Sequence, residues 1–131
     1  MSISPEDMKV LLKAQQGELD AVLMYNALAD AVKDEKDAEV FRQLAAEEGH
    51  HAAVFKALTN QTLKPKKTLA VIVPLLYKLL GKKRVYPIIA KSEYGAVDTY
   101  APVAEKFPEA ESVKNDEHRH GDTVFGLLVN E

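Results

Sequence analysis

Read in alternating steps of three and four, the chain carries four long apolar stripes, each broken at its middle by an acid. The first runs Leu11, Ala14, Glu18, Ala21, Tyr25, Leu28, Val32, and the second Phe41, Leu44, Glu48, His51, Phe55, Leu58. The third is Ile89, Glu93, Ala96, Tyr100, Val103, Phe107, and the fourth Ala110, Val113, Glu117, His120, Val124, Leu127. A 3.5- to 3.6-residue period of this kind belongs to a helix that buries one face against other helices. The pattern predicts an all-α chain.

Start and stop signals divide it. Ser4, Pro5, Glu6 and Asp7 read as a capping hydroxyl, a first-turn proline and two acids at the positive end of a helix dipole. The helices are expected at about 5–32, 37–58, 68–80, 85–106 and 108–128. Residues 33–36 form a polar turn between the first two, a loop with Pro65 covers 60–67, Gly81 stops the third and Pro108 opens the last. The layout is two helical hairpins joined by a long crossover with its own short, very apolar helix. Such crossovers distinguish ferritin-like four-helix bundles from simple up-and-down ones. At 131 residues the chain is expected to be a single domain over 1–131.

Composition narrows the chemistry. There is no cysteine, which excludes disulfides, thiolate catalysis, iron–sulfur clusters and a Cys-ligated iron module. A net charge of -3 offers no nucleic-acid footprint. The segment from Leu69 to Leu80 is too short to span a bilayer, and the first residues hold no apolar signal core. A cytoplasmic protein is expected. The apolar crossover is expected to pack against the bundle or a second subunit, which makes a homodimer the expected state and membrane contact not expected.

The four interruptions carry the function. An unpaired ionised carboxylate in a core is costly, and four at one level would be prohibitive without cations. Two divalent ions cancel four carboxylates, and two imidazoles complete the set. Glu and His three residues apart on a helix lie side by side and can reach the same ion. A single Glu-x-x-His is weak evidence, since 12 Glu and 4 His supply roughly 0.4 such pairs by chance. Glu47 and His50 form one that falls about 100° off the stripe and reads as solvated. His118 falls on a polar face with Lys114 and Asp122. The expected ligands are Glu18, Glu48, His51, Glu93, Glu117 and His120. Carboxylates with only two imidazoles suit Fe or Mn better than structural Zn.

Glu, Glu-x-x-His, Glu, Glu-x-x-His is the ligand order of the di-iron and di-manganese carboxylate bundles. With Glu18 and Tyr25, Glu48 and His51, Glu93 and Tyr100, Glu117 and His120, the chain resembles the rubrerythrin branch of the ferritin-like superfamily over essentially its whole length. Glu-x6-Tyr occurs in both single-Glu helices, with the tyrosine about 10.5 Å along the axis from its glutamate. The resemblance implies two iron ions, no haem or flavin, and Tyr25 and Tyr100 hydroxyls that orient glutamate ligands; Glu48 and Glu117 are the glutamates expected to bridge the ions. Two departures point to a short, stand-alone, erythrin-type domain. Ala96 occupies the place of the family's additional glutamate, and no Cys-rich electron-relay module is present.

The resemblance further implies a peroxidase or oxidase that uses two Fe(II) to reduce hydrogen peroxide or O2, with electrons from an external donor. Iron oxidation and handling, as in ferritins, is the alternative reading. A membrane-associated di-iron hydroxylase is a more distant third, and a helical scaffold with structural metal a fourth.

Overall fold

In a computed structural model of the chain, which describes residues 3–129, five helices account for all regular structure: α1 (Pro5–Ala31), α2 (Glu35–Thr59), α3 (Thr68–Leu80), α4 (Lys82–Lys106) and α5 (Ala110–Val129). The start of α1 is as expected: the Ser4 hydroxyl accepts from the Asp7 N–H at 3.1 Å, with Pro5 in the first turn. Other boundaries move by up to three residues, for local reasons. Helix α2 starts at Glu35 rather than 37 because the Asp34 carboxylate caps it, accepting from the N–H groups of Lys36 at 2.8 Å and Asp37 at 3.3 Å. Helix α4 starts at Lys82 because Gly81, at φ 80°, ends α3 and starts α4 without a linker. The Gly81 N–H donates back to Tyr77 while its carbonyl accepts from Arg84 and Val85. Residues 108 and 109 form a turn before α5 rather than its first residues, with the Ala110 N–H donating to Phe107 and the Glu111 N–H to Pro108.

The chain divides into two compact units, one ending at Ile72 and the other beginning at Val73. In the first, α1 and α2 pack as a hairpin across the short link at Val32–Asp34. Leu11, Leu28, Phe41 and Phe55 are completely buried, and the rings of Tyr25 and Phe41 stack at 5.8 Å. Asn60, in the left-handed conformation, ends α2, and the following loop is laid along α1 by three side chains. Gln15 donates to the Gln61 carbonyl at 2.8 Å and accepts from the Thr59 hydroxyl at 2.6 Å, both residues being buried. Gln16 donates to the Lys64 carbonyl, and Asp20 accepts from the Lys66 N–H. This strap is what fixes where α3 begins.

In the second unit α4 and α5 pack as the other hairpin, around Val85, Tyr86, Ile89, Val113 and Val124. Tyr94 lies flat against α5: its hydroxyl bonds Asp122, its ring stacks on Phe125 at 6.0 Å, and it covers the backbone at Gly121. A Cβ at position 121 would stand 2.5 Å from the Tyr94 ring, so a larger residue there would have to displace that ring from Asp122 and Phe125. Gly121→Ala should therefore lower the unfolding free energy by about 1–3 kcal/mol in urea titration while leaving helix content at low denaturant unchanged.

Candidate metal centre

Each hairpin brings its own Glu and Glu-x-x-His together. In the first unit Glu18 from α1 faces Glu48 and His51 from α2, and exposure is 2–3% for all three. His51 Nδ1 lies 3.1 Å from Glu48 Oε1 and 3.6 Å from Glu18 Oε2. In the second unit Glu93 from α4 faces Glu117 and His120 from α5, and all three are again buried. His120 Nδ1 lies 3.4 Å from Glu93 Oε2 and 3.5 Å from Glu117 Oε1. All six of these atoms are sealed from solvent.

The packing explains the convergence. In the first hairpin the ligand level lies between the Tyr25–Phe41 stack, on the side of the link, and the buried Gln15–Thr59 pair. In the second, the Tyr94 ring lies on Gly121, residues that directly follow Glu93 and His120. Helical registry then leaves the acids no outward path.

The donor atoms fit a metal ion. Two ligands each about 2.1 Å from a common ion, at roughly 90–110°, stand about 3.0–3.4 Å apart; two of the four observed spacings, 3.1 and 3.4 Å, fall in that range and the other two, 3.5 and 3.6 Å, lie just above it. Within each hairpin the three ligand atoms lie within 4.8 Å of one another. Two carboxylates and one imidazole form an oxygen-rich, borderline-hard set, suited to Fe(II) or Mn(II).

The electrostatics agree. Burial, reinforced by the Glu48 carboxylate, pushes Glu18 from 4.5 up to about 8, against a smaller opposing pull from His51. A carboxyl group so placed favours its proton until a stronger cation replaces it.

The remaining expected residues are placed as follows. Tyr25 and Tyr100 are buried. Glu47 is half-buried, accepting from Gln43 at 3.1 Å, and His50 is exposed, as a solvated pair should be. His118 is exposed and pairs with Asp122 at 3.3 Å. Sequence reasoning did not single out Gln15, Thr59, Tyr94 or Gly121, which frame the ligand level. The available signals were a glutamine one turn before Glu18 and a glycine directly after His120.

A family model described as Rubrerythrin matches residues 9–127. The chain belongs to the rubrerythrin family. No curated protein and no solved structure gives a match. For this rubrerythrin-family chain the fold class is the all-α, ferritin-like one expected from sequence. Membership implies iron binding, and the buried carboxylate–histidine clusters are groups able to hold it. No helix among the described residues is long and apolar enough to cross a membrane.

The raised Glu18 pKa gives a pH dependence with a definite sign. Between 4.5 and about 8 the folded metal-free chain keeps a proton on Glu18 that the unfolded chain has released. The Glu18 contribution to stability is therefore greatest below pH 4.5 and is lost as pH rises through about 8. Chelator-treated protein should melt higher at about pH 5.5 than at about pH 8, and Glu18→Gln should flatten that difference. Equal slopes for the two proteins would show that Glu18 ionises freely.

Proposed function

We propose that the two half-sites join in one centre, Glu18, Glu48, His51, Glu93, Glu117 and His120, within a single ferritin-like domain. There they hold two iron ions and reduce hydrogen peroxide or O2. The observation that carries this reading is the repeated buried set of two carboxylates and one imidazole, at ligand spacing, in a rubrerythrin-family chain. Two bound Fe(II) would supply the two electrons that reduce peroxide to water or O2 to peroxide.

The protein's own part is mainly electrostatic and geometric. Four carboxylates offset the positive charge of two dications, so the ions sit in a nearly neutral pocket of low dielectric. His51 and His120, each set between two helices, fix the direction of one donor per ion. Tyr25 and Tyr100 hold glutamate oxygens in place, and the apolar residues of each stripe above and below the ligands keep bulk water from the reductant. Electrons come from an external donor. The setting is the cytoplasm.

One residue favours a second reading. Ala96 supplies no carboxylate one turn after Glu93, so the chain lacks the extra glutamate to which iron could move during peroxide turnover. Without it, oxidation of Fe(II) by O2 followed by release or storage of the product, as in a ferroxidase, uses the same six ligands.

Fe(II) or Mn(II) should raise the melting midpoint of chelator-treated protein at pH 7, since only the folded chain assembles the ligands. Glu18→Ala and Glu93→Ala should each lower metal stoichiometry below two per chain while keeping helix content. An unchanged midpoint would remove the site. Stopped-flow mixing of the anaerobic Fe(II) protein separates the reactions: the peroxidase reading expects faster oxidation by hydrogen peroxide than by O2. The ferroxidase reading expects the reverse, with continued iron uptake beyond two per chain.

A further inference from the structure

The loop between α2 and α3 is held in place by polar contacts. From residue 60 to residue 67 every position is exposed except half-buried Leu63, so apolar burial contributes little to its position. Three side chains of α1 fasten it instead. The Gln15 amide donates to the Gln61 carbonyl at 2.8 Å, the Gln16 amide donates to the Lys64 carbonyl at 2.8 Å, and the Asp20 carboxylate accepts from the Lys66 N–H at 2.7 Å. Gln16 also donates to Asp20 at 2.9 Å, so these two fasteners brace each other. Hydrogen bonds in contact with solvent add little net stability, and a segment held mainly by them is among the first to open locally.

The fasteners surround a metal ligand. Gln15, Gln16 and Asp20 stand three before, two before and two after Glu18 on the same helix. Gln15 is 1% exposed and, with the Thr59 hydroxyl at 2.6 Å, makes the buried end of the fastening. It shares a helix face with Glu18, about 4.5 Å away along the axis. Gln61 is exposed, and its N–H donates to the Thr59 hydroxyl at 3.3 Å. Solvent, loop backbone, Gln15 with Thr59, and Glu18 are thus successive polar steps into a hairpin whose neighbouring buried side chains, Leu11, Ala14 and Phe55, are apolar.

Occupancy of the ligands decides which state of the loop is favoured. Glu18 and Glu48 are each 2% exposed and His51 is 3% exposed. Without an ion, charge on two adjacent buried carboxylates is costly, and lifting the loop from Gln15 lets water relieve that cost. With an ion the charge is balanced, and lifting the loop would only break hydrogen bonds. A ligand that favours one of two states shifts the balance toward it by its difference in affinity.

We propose that residues 60–67 form a latch over the first half-site, closed when Glu18, Glu48 and His51 hold iron and open to water when they do not, with Gln15 as the positioning residue that couples the two. The open latch is the way by which the ion enters and leaves this half-site. The latch presupposes the metal-holding part of the function proposed above and is indifferent to its redox chemistry.

The test is hydrogen exchange of the full-length chain, read by mass spectrometry over residues 60–67, with Fe(II) under nitrogen and after chelator treatment. The Gln61 and Lys66 amides, which donate to Thr59 and Asp20, should exchange at least about fivefold more slowly in the loaded chain. Gln15→Leu with Thr59→Val, which replaces the buried polar pair by apolar groups of similar size, should remove that difference. Gln16→Ala with Asp20→Ala should remove it too, and chelator should extract Fe(II) from this variant at least about fivefold faster than from wild type, at unchanged saturating stoichiometry. Asp20→Asn keeps an acceptor oxygen and should behave as wild type in both measurements. Exchange within α2 should stay as in wild type, which separates release of the latch from general loosening. Equal exchange of the segment in loaded and chelator-treated wild type would overturn the latch, as would a difference that survives both double substitutions. A wild-type chain that binds no Fe(II) would overturn the metal reading, and the latch with it.

Discussion

Charge compensation inside a helical hairpin is the constraint to which the rest of this protein is fitted. Each hairpin buries two carboxylates and one imidazole, with the imidazole Nδ1 3.1–3.6 Å from the carboxylate oxygens. In a dry interior such an arrangement is stable only if protons or metal ions balance the acids. The rise of Glu18 to about 8 is the signature of the proton solution, and iron is the solution the family membership implies. The apolar positions above and below each ligand level make the charge expensive and therefore make the cation bind.

The supporting framework does not itself touch metal. Gln15 and Thr59 close one side of the first ligand level and at the same time anchor the loop that leads to α3. Tyr94, held by Asp122, lies on Gly121 beside Glu93 and His120. Burial of polar atoms is tolerated in the first case because each finds a partner, and the Tyr94 ring fits in the second because position 121 has no side chain. Ligand geometry is thus inherited from packing that looks, residue by residue, like ordinary core.

The crossover answers to a different balance. Everywhere else acids are plentiful, yet from residue 49 to residue 92 there are none. That stretch carries nine Lys or Arg, so the basic charge of the chain is concentrated around the crossover.

The helices, their approximate limits, the hairpin pairing and the inward placing of the four glutamates and two histidines were legible in the sequence, because all rest on local periodicity. A stripe interrupted at its middle by Glu18, or by Glu48 and His51, marks an inward-facing acid whatever the surrounding fold. Caps shifted the limits, since Asp34 and Gly81 act through hydrogen bonds and a positive φ that hydrophobic periodicity does not register. Only tertiary structure decided the rest. That Gln15 meets Thr59 across 44 residues, that Tyr94 needs Gly121, and that α3 turns its leucines outward are consequences of which surfaces approach one another. Contacts between segments distant in the chain depend on packing geometry, and a period counted along one helix holds no record of them.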